Sequence, residues 1–181
     1  MTNEILRYPI GQFRLSDDIT LAQRIEAIAA ISDLPERLRA AVHGLTDAQL
    51  DTPYRDGAWT LRQVVHHVAD SHMNAYVRFK LALTEEAPTI KPYDEKRWAE
   101  LFDARTLPVD VSLGLLEMLH ARWVVLLRSM RETDFARAFS HPEHPGLIPL
   151  DKQTGLYGWH GQHHTAIIVR FREQRGWGMS R

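Results

Sequence analysis

The chain has no cysteine in its 181 residues. This excludes disulfides, thiolate metal ligands and any thiol nucleophile of the protein's own, and leaves oxygen and nitrogen groups to carry chemistry. Long apolar runs are missing as well: no segment approaches the ~20 consecutive apolar residues of a membrane-spanning helix. The N-terminal MTNEILRYPIGQF does not follow the basic, apolar, small-residue order of a signal peptide, so a cytoplasmic location is expected. Charge of one sign is not in excess either. Lys and Arg number 22 against 23 Asp and Glu, and there is no basic run. This balance argues against nucleic acid or an anionic membrane as partner and for a small molecule.

The remaining composition, 44% apolar and 25% charged, is that of an ordinary globular chain. Its length predicts a single domain over 1–181, able to close a core without covalent staples.

Helical periodicity dominates, and no alternating run with hairpin turn pairs is long enough for a sheet-based fold. An all-α fold follows. The first helix is expected over about Thr20 to His43, with Ser32, Asp33 and Pro35 marking a kink or restart. Thr60-Leu-Arg-Gln63 fits a capping box opening a second helix that continues to about Leu83. DEKRWAELF suggests a short helix, and a third long helix runs from about Val109 to Arg131. The proline-rich SHPEHPGLIPL, residues 140–150, reads as an extended strap or small hairpin. Asp151 is the expected N-cap of a last helix reaching about Gln174. Four long helices with medium connections form an antiparallel bundle.

Histidine is the notable residue, with ten copies. In GWHGQHHT, His160 and His164 are one helical turn apart and share a stripe with Gln153, Leu156, Tyr157, Ile167 and Phe171. Two imidazoles facing a core need hydrogen bonds, charge partners or a shared metal ion, because each left unpaired costs on the order of 1–3 kcal/mol. A pair at this spacing can converge on one cation, with a third ligand from another helix. VVHHVADSHMN offers His66, His67 and His72. His66 points nearly opposite the apolar centre, and His72 is the most core-like. His67 borders a polar stripe with Ser71, Asn74 and Arg78, the pattern of an internal cleft. Periodicity alone leaves His67 and His72 even as third ligand.

GAWTLRQVVHHVADS (57–71) together with YGWHGQHHTA (157–166) resembles the DinB/YfiT-like family of metal-dependent enzymes, and the resemblance covers nearly the whole chain. It implies an up-down-down-up four-helix bundle, here with short extra helices and the proline-rich strap. It also implies a homodimer with one zinc or nickel per chain, and a ligand set that falls on His67, His160 and His164. One departure stands out: where the family pattern often carries a further histidine, this chain has Ile167.

A three-histidine ion with an open fourth position activates water, so the resemblance and the ligand set together imply a metal-dependent hydrolase. Gly161 and Gln162 follow His160, so the glutamate of the H-E-x-x-H peptidases is missing and proteolysis is disfavoured. One alternative is suggested by relatives that are thiol S-transferases: an external low-molecular-weight thiol would occupy the open position. Another is a non-catalytic bundle whose metal is closed off by His141 or His144. His163 is expected beside the site, His72 and His120 as satisfied core or interface residues, and Trp59, Trp123 and Trp159 mainly as packing. Arg78 offers a bidentate fork for an anionic group, or a solvated surface charge.

Overall fold

The computed structural model describes residues 6–14 and 19–178. Four long helices carry the architecture: α1 (Leu21–Val42), α3 (Leu61–Thr84), α6 (Val109–Ser129) and α8 (Leu150–Arg175). The connections hold short helices α2 (Asp47–Leu50), α4 (Glu95–Trp98), α5 (Phe102–Thr106) and α7 (Glu132–Phe135), and strands β1 (Ala138–Ser140) and β2 (Leu147–Pro149). Helices α1, α2 and α3 each start with a reciprocal Thr-x-x-Gln cap, formed by Thr20 and Gln23, Thr46 and Gln49, and Thr60 and Gln63.

Contacts along the helices give their directions. Arg24 meets Asp151 and Arg172 meets the Ala41 carbonyl, so α1 and α8 run parallel. His66 meets Ser112 and His72 meets His120, so α3 and α6 also run parallel. By contrast, α1 opposes α6 through the pairs Ile31 with His120 and Arg39 with Asp110. Likewise α3 opposes α8, with Ser71 at Tyr157 and His67 at His164. The order is up-down-down-up, with α1 and α3 each packed against both α6 and α8. A parallel α3–α6 pair requires the chain to travel back along the bundle, and residues 85–108, containing α4 and α5, make that return.

Three local readings change. First, α1 does not break at Pro35 but continues through it; the Ile31 carbonyl, which the missing N–H would leave bare, accepts from His120 instead. Second, Asp151 does not cap α8. Its carboxylate is taken by Arg24, at 2.7 and 2.8 Å, and Pro149 occupies the cap position. Third, His66 does not face away from the bundle. It is buried against α6, bonded to Ser112 and the Leu107 carbonyl, because α3 is packed on nearly every side. The proline-rich strap is a hairpin, β1 pairing antiparallel with β2.

The glycines of GWHG explain the α1–α8 contact. A Cβ on Gly158 would stand 2.9 Å from Ala27 Cα and 3.1 Å from its carbonyl oxygen, while one on Gly161 would meet only the Leu34 side chain. The two backbones therefore approach closely at Gly158, and His160 and His164, roughly 120–160° further round α8, look toward α3.

The apolar core is split in two. One cluster holds Leu34, Leu38, Val64, Val68, Leu113, Leu116 and Ile168. The other holds Ile31, Ala75, Phe79, Trp123, Leu127 and Tyr157. Between them, on successive helices, come His72, His120 and His160. No helix among the described residues is long and apolar enough to cross a membrane.

Gly158→Ala is expected to lower stability by about 1–3 kcal/mol in chemical denaturation, since backbone must move to admit the methyl. Gly161→Ala should cost less, because a leucine side chain can shift. Equal costs would contradict the close-approach reading.

Candidate metal centre

His67 on α3 and His160 and His164 on α8 each bring one ring nitrogen to within 4.8 Å of the others. Their ring centroids are 5.4, 4.8 and 4.5 Å apart. A tetrahedral ion with bonds of about 2.0–2.1 Å holds its nitrogens roughly 3.4 Å apart, so modest side-chain rotation closes the set. The donor chemistry fits a borderline divalent cation: three imidazoles, with no carboxylate in the group. The fit has a second support. Nδ1 of His164 is buried with no hydrogen-bond partner, a cost that coordination by a ligand would remove.

Burial controls the electrostatics. It pushes the His67 pKa down to about 4. His160 and His164 are held well below the ordinary range by burial first, and then by neighbouring imidazoles. All three rings are therefore neutral at pH 7, with lone pairs free to bind a cation.

His160 also forms part of the wall of a cavity of about 670 Å³. Ser71, Arg78, Tyr93, His141 and Tyr157 line the same space, and Asp94, Glu95 and Glu143 add carboxylates. Of the polar stripe expected on α3, Ser71 and Arg78 reach this cavity, whereas Asn74 donates to the Asp70 carbonyl. The Tyr157 hydroxyl donates to the Ser71 carbonyl at 3.1 Å. Burial raises the carboxyl pKa of Glu95.

The other histidines separate by position. His72 lies between His120 and His160, its Nδ1 3.0 Å from His120 Nε2 and its Nε2 3.2 Å from His160 Nδ1. His120 Nδ1 reaches the Ile31 carbonyl at 2.6 Å. His163 is stacked on Trp159 with centroids 4.5 Å apart, beside the centre and outside the ligand group. His141 and His144 line the cavity from the hairpin, also outside that group. Trp59 packs on the His67 ring at 4.6 Å, and Trp123 presents edges to His72 and His120. Ile167 is buried at 1% exposure. Periodicity marked His72 and His120 as core but could not reveal that they are bonded to each other and to a cavity-lining histidine. Tyr93 and Glu95 arrive from the α3–α6 connection, just before and at the start of short helix α4, whose place beside α8 no local signal could give.

This is a helical bundle in which three histidines could hold a metal, one of them lining a cavity. The profile of the DinB superfamily matches residues 30–168, and the chain belongs to that family. YfiT of Bacillus subtilis (strain 168) is 50% identical over 177 residues, covering 98% of this chain and 99% of its own. A Bacillus cereus (strain 03BB102) protein is 57% identical over 172 residues, covering 95% and 98%. The solved structure of YfiT, described as a probable metal-dependent hydrolase with an unusual four-helix bundle topology, matches with a TM-score of 0.93 at 50% identity. It covers 96% of this chain and 99% of that one.

Buried histidines with lowered pKa make the folded state poorer in protons than the unfolded chain once the pH drops below about 6.5. Their contribution is complete above that pH and is lost as the pH falls toward about 4. The melting temperature of metal-free protein is expected to decline between pH 7 and 5, and added zinc should raise it more at pH 7 than at pH 5. A melting temperature flat over that interval would contradict this electrostatic account.

Proposed function

We propose that this protein is a metal-dependent hydrolase of a small-molecule substrate, with His67, His160 and His164 holding one divalent ion, zinc or nickel. The observation that carries the reading is the convergence of three neutral imidazoles beside a cavity that one of them lines. Such an ion, when bound with an open position, polarises an electrophile and lowers the pKa of coordinated water from 15.7 toward about 7.

The chain's own residues supply the rest. The three imidazoles bind as neutral donors and fill one side of the coordination sphere. Arg78, which lines the cavity, can hold an anionic or carbonyl end of the substrate through its guanidinium fork. Glu95 lines the same space with a carboxylate that can accept and return a proton. The names of the relatives support a hydrolase, and a cavity of this size suits a small organic substrate.

Elemental analysis of untagged protein tests the reading. About one zinc or nickel per chain is expected in wild type, with loss in each of His67→Ala, His160→Ala and His164→Ala. Ester or amide cleavage by wild type, abolished by chelation and restored by the ion, would establish hydrolysis. Turnover that requires an added thiol would instead make the reaction S-transfer, with the thiol as cosubstrate because the chain has none. No stoichiometric metal after reconstitution would end the enzyme reading.

The homodimer, we propose, forms through α6, where Val111, Leu115, Met118 and Val125 make an exposed apolar row. Leu115→Glu combined with Met118→Glu is expected to convert the dimer to monomer in light scattering after gel filtration. An unchanged mass would place the contact elsewhere.

A further inference from the structure

Pro35 lies inside α1 and has no N–H, so the Ile31 carbonyl four residues earlier loses its helical donor. His120 Nδ1 stands 2.6 Å from that oxygen. A carbonyl can only accept, so His120 carries a proton on Nδ1 and, as a neutral ring, a lone pair on Nε2. His72 Nδ1, 3.0 Å from that lone pair, must then donate. This leaves a lone pair on His72 Nε2, which is 3.2 Å from Nδ1 of His160. His160 donates in turn, and its Nε2 is left unprotonated.

Three imidazoles in a row could order their protons in either direction with equal hydrogen bonding. An acceptor-only group at one end removes that freedom. His72 is 0% and His120 2% exposed, and their hydrogen bonds go to each other, to His160 and to the Ile31 carbonyl. No carboxylate is among these partners, so an imidazolium here would be an uncompensated buried charge and the rings stay neutral.

We propose that the Ile31 carbonyl, His120 and His72 form a positioning relay that locks His160 in its Nδ1–H tautomer and thereby presents Nε2 to the metal. The proposal rests on the reading of His160 as a ligand. It assigns His72 and His120, neither of them in the ligand group, the task of orienting a ligand ring and fixing its basic nitrogen. Partners of this kind typically change metal affinity by roughly 10–100-fold when removed.

The first measurement is 15N NMR of histidine-labelled, metal-free wild type near pH 7.5. Pyrrole-type Nδ1 and pyridine-type Nε2 signals are expected for His120, His72 and His160 alike; a protonated Nε2 on His160 would overturn the relay. Zinc affinity, measured by competition with a chelator, is the second readout. His120→Phe is expected to weaken zinc binding by roughly 10–100-fold. His120→Gln, which can still donate to the carbonyl and accept from His72, should stay near wild type. His72→Phe removes the middle link while leaving the His120 bond to the Ile31 carbonyl in place, and should weaken zinc binding by a similar factor. Wild-type affinity in folded His120→Phe, or in His72→Phe should the first variant not fold, would overturn the relay. Absence of stoichiometric zinc in wild type would remove the three-histidine reading itself, whereas bound zinc with the opposite tautomer would remove the relay alone.

Discussion

A buried imidazole has two ring nitrogens to satisfy, and the middle of this bundle brings histidines together from three helices: His67 and His72 on α3, His120 on α6, and His160 and His164 on α8. Neutral rings in apolar surroundings are tolerable only when donors meet acceptors. Each helix therefore has to arrive at a specific height and rotation. The two apolar clusters above and below provide most of the burial, but they would accept small slips that the polar layer between them would not. In this sense the layer specifies the register of the bundle.

That register depends on how closely α1 and α8 approach. Gly158 allows the backbones of Ala27 and α8 to touch, and Arg24 ties the starts of the two helices through Asp151. On the far side of α8 the same placement brings His160 within reach of His72 on α3. Pro35 contributes from α1 without lying near the centre: its missing N–H frees the carbonyl on which His120 rests. Packing, capping and the candidate chemistry are thus linked through a few backbone atoms, and a helix-breaking residue serves as a source of a hydrogen-bond acceptor.

The up-down-down-up order also shapes the cavity. Because α3 and α6 run parallel, a long connection has to cross the end of the bundle and return, and α4 lies on that path. It delivers Tyr93, Asp94 and Glu95 to the space beside His160, while the β1–β2 hairpin brings His141 and Glu143. Irregular segments thereby furnish the variable wall of a cavity whose fixed wall is helical, the usual division between scaffold and specificity.

Much of this was legible in the chain. The spacing of His160 and His164, the capping box at Thr60 and the apolar stripes of the four long helices are local properties, set by the 3.6-residue period and by the chemistry of each side chain. The absence of cysteine and the balanced charge bounded the chemistry in the same local way. Periodicity left His67 and His72 undecided because both sit on the inward half of α3, and only the facing helices set His67 beside His160 and His164 and His72 between His120 and His160. The restart expected at Pro35 and the cap expected at Asp151 were sound local preferences: the helix instead continues through Pro35, with His120 meeting the freed carbonyl, and Arg24 takes the Asp151 carboxylate. Sequence alone determined which residues could bind, cap and pack. Tertiary structure decided which of them meet, because hydrogen-bond direction, backbone approach and cavity shape depend on pairs of residues far apart along the chain.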